Sequence, residues 1–152
     1  MVAVLDASAV VELVLGTRSG ARIMQRISDP GISLHGPELL DLEVLHVLRR
    51  YERRGAVSPN RAAEAYRNLL DLDVRRHGHE PLLSRVWCRR HNLTAYDAAY
   101  VTLAEILEAP LLTTNRRLAG VPNIPVPVEA FAAVPADRSS VKRQDRSGTG
   151  IR

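Results

Sequence analysis

Three acids stand in apolar surroundings, where an unpaired charge is costly. Asp6 ends the run VAVL in MVAVLDASAVVELVL. Glu43 lies in PELLDLEVLHVLRR, with Leu39 and Leu40 one turn before it and His46 and Val47 one turn after. Asp97 lies in LTAYDAAYVTLAEIL. Each acid has a plain structural explanation. Asp6 can cap the helix after it, Glu43 can face solvent, and Thr94 to Asp97 matches a capping box. Together they suggest more. Carboxylates that converge repel one another and raise one another's pKa. A hard divalent cation, Mg²⁺ or Mn²⁺, removes that conflict because it favours oxygen ligands. Such an ion activates a bound water and neutralises charge building on a phosphodiester. The polar run Thr113-Thr114-Asn115 comes after a short apolar segment, so it is expected on the same sheet edge as Asp6. No Ser, Cys or His constellation suited to covalent catalysis is visible.

The elements that would carry these residues are set by periodicity and punctuation. Val2 to Leu5 reads as a buried strand, Ser8 to Leu15 as a helix ended by Gly16, and Ala21 to Ile27 as a second helix. Ile32 to Leu34 reads as a second strand. Gly36-Pro37 predicts a long helix to Arg54, with Pro37 at its first position and Gly55 just past its end. Ser58-Pro59 opens another helix, to about Asp71, and Leu72 to Val74 is a candidate third strand. Glu80-Pro81 predicts a helix through Arg90, and Thr94 caps one to about Glu108. Leu111 to Thr113 reads as the fourth strand. Ile124 to Val128 is the fifth, placed at a sheet edge by Pro125 and Pro127. Strands alternating with helices predict a three-layer α/β/α domain with a mainly parallel sheet of four to five short strands. Ligands bind such sheets at the carboxyl ends of the strands, where Asp6 falls.

The length of 152 residues suits one domain, and 45% hydrophobic with 25% charged residues suits a globular one. No uncharged apolar stretch is long enough for a bilayer, and Asp6 and Glu12 interrupt the amino-terminal apolar segment, unlike a signal peptide. One cysteine, Cys88, excludes an internal disulfide framework and suits a reducing cytoplasm. The formal charge of +4 is concentrated late. Beyond Ala136, five bases and two acids leave a net of only +1 for the residues before. The expected division is a domain over 1–135 and a basic, disordered tail over 136–152. The arginine clusters at 49–54, 75–76, 89–90 and 116–117 read mostly as solvated helix faces. Tyr96, Tyr100 and Trp87 read as packing residues, and His35 and His46 are given no role.

In the segments VLDASAVVELVLG, PELLDLEVLHVLRRYERRG and LTAYDAAYVTLAEILEAPLLTTNRRLAG, the chain resembles a PIN domain. More closely, it is similar to the VapC toxins of bacterial type II toxin–antitoxin pairs. The resemblance covers residues 1 to about 131 and rests on an ordered set: strand–Asp, Pro-led helix–Glu, T-x-Y-D-A-x-Y and L-x-T-x-[DN]-x-x-L. It implies a Mg²⁺- or Mn²⁺-dependent endoribonuclease. Its recurrent acids match Asp6, Glu43 and Asp97, the expected catalytic and metal-holding residues. Its fourth polar position matches Asn115, where many relatives carry Asp; an amide supplies no charge to a second metal. Ser8 and Thr113 match small hydroxyls that would hold a metal-bound water or a carboxylate. The resemblance also implies a homodimer, an RNA substrate and inhibition by a cognate VapB-type antitoxin.

Rival readings fit less well. Haloacid-dehalogenase-type phosphatases need a second Asp where Ser8 stands. Response-regulator receivers need a Lys after a late strand, and the single lysine is Lys142. A PIN-like module kept only to bind RNA or a partner is the remaining alternative.

Overall fold

The structure, a computed structural model, describes residues 1–131. The boundary expected near 135 and the tail over 136–152 lie outside the described residues.

The strands are β1 (Val2–Leu5), β2 (Ser33–Pro37), β3 (Val74–His77), β4 (Leu111–Thr113) and β5 (Val128–Ala130). They form one sheet in the order β3-β2-β1-β4-β5, and every pairing is parallel. The helices are α1 (Ala7–Val14), α2 (Arg18–Ile27), α3 (Leu39–Arg53), α4 (Pro59–Asp71), α5 (Leu83–Cys88), α6 (Ala95–Ile106) and α7 (Arg116–Ala119). α1 packs with α2, α3 and α4, while α6 lies against β1, β2 and β4 with α5 packed on it. The architecture is three-layer α/β/α.

β1 is central, so both its faces are covered, and Ala3, Val4 and Leu5 are essentially inaccessible. That is why its sequence is continuously apolar rather than alternating. From β1 the chain builds the sheet first toward β2 and β3, then returns to add β4 on the other side. The order reverses between β1 and β4, and the crevice beyond their carboxyl ends is where such sheets bind ligands. Asp6 and Asn115 lie just past those two strand ends.

Four local devices set the helices around the site. Gly20 lets α2 cross close over α1: a Cβ there would lie 2.1 Å from the Glu12 carbonyl oxygen. Gly55, at φ +66°, sits just past α3, the left-handed geometry that glycine adopts freely. α3 is tied to β3 by the Arg76 guanidinium, which donates twice to the Asp41 carboxylate at 2.9 and 3.2 Å. Its first turn is held by His79, whose Nε2 accepts the Leu39 N–H at 3.2 Å.

Several expected boundaries move. Pro37 ends β2 instead of opening α3. The Glu38 N–H donates to the His77 carbonyl on the β3 side, so the Pro37 nitrogen faces β1, whose pairing with β2 stops at His35. The missing donor has no partner to lose there. β3 is Val74–His77 rather than 72–74; as an edge strand it carries Arg75, Arg76 and His77, and its polarity hides it from a pattern search. The segment 80–90 divides into a 3₁₀ turn at Glu80–Leu82 and the short α5. β5 begins at Val128, after both prolines, and Pro127 contributes only its carbonyl, which accepts the Leu111 N–H. The four-residue α7 is an addition to the expected elements.

Candidate active site

Asp6 is held from several directions. Its backbone N–H still belongs to the sheet, donating to Leu112 O at 3.0 Å. Its side chain caps α1, with Oδ1 accepting the Ser8 N–H at 3.3 Å. Oδ2 accepts the Thr113 hydroxyl at 2.5 Å and the Ser8 hydroxyl at 3.0 Å. Each hydroxyl has one proton, so with both given to Asp6 the 3.1 Å contact between Ser8 Oγ and Thr113 Oγ1 carries none. The two hydroxyls are themselves fixed as acceptors: Ser8 Oγ takes the Thr114 N–H at 3.0 Å, and Thr113 Oγ1 takes the Asn115 N–H at 2.9 Å. A carboxylate offers about four acceptor sites. Three are engaged, leaving one on Oδ1.

Glu43 sits beside the buried stripe Leu40, Val44 and Leu48 on α3 and is half-buried. Its Oε2 accepts the Tyr100 hydroxyl at 2.6 Å. The Ala7 N–H at the start of α1 pulls the pKa of that hydroxyl down. One buried phenol therefore joins α6 to α3. Tyr100 is thus a positioning residue as well as the packing residue that the sequence suggests. Its place three residues after Asp97, on the same helix face, was the available signal.

Asp97 forms half of a capping box: Thr94 Oγ1 accepts the Asp97 N–H at 3.1 Å and donates to Asp97 Oδ2 at 2.9 Å. Arg117 approaches the same oxygen at 3.8 Å. Asn115 caps α7, with Oδ1 accepting the N–H groups of Arg117 at 3.1 Å and Leu118 at 3.4 Å. The structural explanations for Asp6 and Asp97 thus both hold, yet both residues also face the site.

Asp6, Glu43, Asp97 and Asn115 line one open cleft of about 550 Å³, with Ser8 beside them. Thr113 is buried behind Asp6. His46 also lines the cleft, whereas His35 is stacked on His77, Nδ1 to Nε2 at 2.8 Å. Tyr96 lines the cleft and is 62% exposed, and Trp87 is 67% exposed. Neither is the packing residue expected; the Arg90 guanidinium lies over the Trp87 ring.

The electrostatics favour a cation. Burial pushes the Asp6 carboxyl above its ordinary pKa, the Thr113 and Ser8 hydrogen bonds pull it back, and Asp97 pushes it up again. Burial likewise raises Glu43, opposed by the Tyr100 hydrogen bond and reinforced by the charges of Asp6 and Asp97. Burial, then the bond to Glu43, drives Tyr100 far up, so it remains a donor at every working pH. Every side-chain donor the acids offer is oxygen, which fits a hard divalent ion. The acids share a cleft without forming a closed cage. Among the described residues, no three His, Cys, Asp or Glu side chains gather tightly enough to ligate one ion directly. Mg²⁺ typically takes one or two carboxylates and keeps several waters, and the open arrangement suits it.

The family model for the PIN domain matches residues 3–124. Ribonuclease VapC1 of Mycobacterium tuberculosis is 40% identical over 127 residues, covering 83% of this chain and 95% of the relative. Ribonuclease VapC12 of the same organism is 40% identical over 116 residues, covering 76% and 88%. Among solved structures, a toxin–antitoxin complex from Klebsiella pneumoniae superposes with a TM-score of 0.61 at 18% identity, covering 87% of this chain and 99% of that one. The crystal structure of VapBC2 from Rickettsia felis bound to a DNA fragment from its promoter superposes at 0.63 and 11% identity, covering 86% and 99%. At those identities the two structures bear on the fold alone. The sequence relatives and the family model place this chain in the PIN-domain family, among its VapC members.

Proposed function

We propose that this protein is the toxin of a toxin–antitoxin pair and acts as a Mg²⁺- or Mn²⁺-dependent endoribonuclease. One observation carries the reading. Asp6, Glu43, Asp97 and Asn115, contributed by four separate segments, line a single cleft at the point where the strand order reverses. The names of the relatives, ribonucleases, and of the structural neighbours, toxin–antitoxin complexes, support it. An RNA substrate, a VapB-type antitoxin and a homodimer belong to the same proposal.

Asp6 and Asp97 would hold the ion, directly or through water, with Glu43 as a further ligand or as the base. The ion would supply a polarised water and neutralise charge that builds on the phosphodiester. The chain's own residues do the rest. Ser8 and Thr113 fix the Asp6 carboxylate so that its free Oδ1 site is presented without a rotamer search. Tyr100 fixes Glu43, whose raised pKa makes it a better proton acceptor for the attacking water than an ordinary carboxylate. The Asn115 oxygen is engaged at α7, so its NH₂ is the free end. An amide donor suits a phosphate oxygen of the substrate rather than a cation.

Replacing Asp6 by Asn should abolish RNA cleavage and growth arrest while leaving the circular dichroism spectrum unchanged. Cleavage by Asp6→Asn protein with added Mn²⁺ refutes the assignment. A binding module without catalysis is distinguished by calorimetry, since folded protein that gives no heat with Mn²⁺ has no working metal site.

A further inference from the structure

The C-terminal half of α3 carries Arg49, Arg50 and Arg53, and Arg54 is its C-cap. They line, with His46, a second depression of about 390 Å³. His46 and Arg50 also line the acidic cleft, so the two are continuous. Along the helix, Glu43, Arg50 and Arg54 lie on one face at i, i+7 and i+11. At 1.5 Å per residue Arg50 stands about 10 Å and Arg54 about 16 Å beyond Glu43.

Cations near a helix C-terminus complement its dipole, but that accounts for only part of the cluster. The terminus carries about half a charge, whereas four guanidinium groups occupy six positions. Arg49–Arg53 and Arg50–Arg54 are like-charged pairs at i, i+4, an arrangement that weakens a helix. None of the four forms a salt bridge with an acid among the described residues, although Arg26, Arg61, Arg76, Arg85 and Arg89 all do. The residues up to Ala136 have a net charge of only +1, so this concentration is local. An RNA approaching Asp6, Glu43 and Asp97 meets three negative charges, and the adjoining arginines supply the attraction that the cleft lacks.

The geometry points to this face as the track for the RNA backbone. Arg50 and Arg54 hold phosphates flanking the scissile one, and the strand leaves the cleft along the C-terminal half of α3. Arg49, Arg53 and His46 widen the positive field. This inference rests on the ribonuclease reading for its substrate and adds where that substrate lies.

The test is fluorescence anisotropy with full-length Asp6→Asn protein in EDTA and a labelled single-stranded oligoribonucleotide of mixed sequence, across a salt series. Each lost phosphate contact should reduce the slope of log K against log salt by about 0.7. The double variant Arg50→Gln/Arg54→Gln should therefore lose about 1.4, whereas Arg18→Gln/Arg67→Gln, whose residues line neither depression, should lose almost nothing. Equal losses in both variants, or no loss in the first, overturn the track. If polyglutamate competes as well as RNA and loses affinity in the same variant, the face is a dock for an acidic protein and the RNA track is wrong. In an otherwise wild-type chain, Arg50→Gln/Arg54→Gln should raise KM with kcat preserved. If the wild-type chain cuts no RNA, the ribonuclease reading fails, and the salt slopes still report on the track.

Discussion

Replacing Tyr100 by Phe removes one oxygen from a side chain that is 1% exposed and changes little else in shape. The lost oxygen donates to Glu43. A hydrogen bond to a charged acceptor contributes about 1.5–3 kcal/mol. Glu43 is half-buried and water can replace part of its loss, so the low end applies to that bond. The expected destabilisation is about 1.5 kcal/mol. With a urea slope of about 2 kcal/mol/M, the unfolding midpoint falls by about 0.8 M. A double-mutant cycle with Glu43→Ala isolates the shared bond and should give a coupling of about 1.5 kcal/mol. Catalysis gives an independent readout. The phenol restrains the Glu43 carboxyl, which burial has already raised; without it the carboxyl rises further, and the acid limb of the cleavage profile moves to higher pH. A midpoint within about 0.2 M of wild type, no coupling and an unmoved acid limb would together refute the positioning role of Tyr100.

Glu43→Gln keeps an acceptor for Tyr100 while removing a charge that Asp6 and Asp97 repel. Metal-free protein should gain about 1 kcal/mol, the scale of a solvent-screened charge pair, and melt about 3 °C higher, while cleavage is lost. Asp6 and Glu43 both have folded pKa values above their unfolded ones, so the folded state holds their protons longer. Their contribution to the stability of metal-free protein is therefore greatest below the ordinary carboxylate range and falls as pH rises through the raised folded values. Denaturation curves should show that decline, and Mn²⁺ should offset it only above that range. Gly20→Ala places a Cβ 2.1 Å from the Glu12 carbonyl oxygen. The crossing of α1 and α2 must open, at a cost of about 3 kcal/mol by thermal unfolding.

The sequence by itself determined the class of fold and the identity of the acids. β1 and α1 are legible because a central parallel strand must be continuously apolar and because Asp6 both ends that strand and caps α1. β3 and the start of α3 were not legible. An edge strand can be as polar as VRRH, and whether Pro37 begins a helix or ends a strand depends on which side of the ladder its missing N–H faces. The same division holds at the site. Residue types named Asp6, Glu43 and Asp97, since carboxylates in apolar company must be capped, paired or bound to something, and the family resemblance added Asn115. Only the tertiary structure decided that they share a cleft and that Tyr100 on α6 holds Glu43 on α3. Those facts concern side-chain direction and partners more than fifty positions away in the chain, and no local pattern encodes them. They arise from β1 and β4 lying side by side and from α6 packing across both.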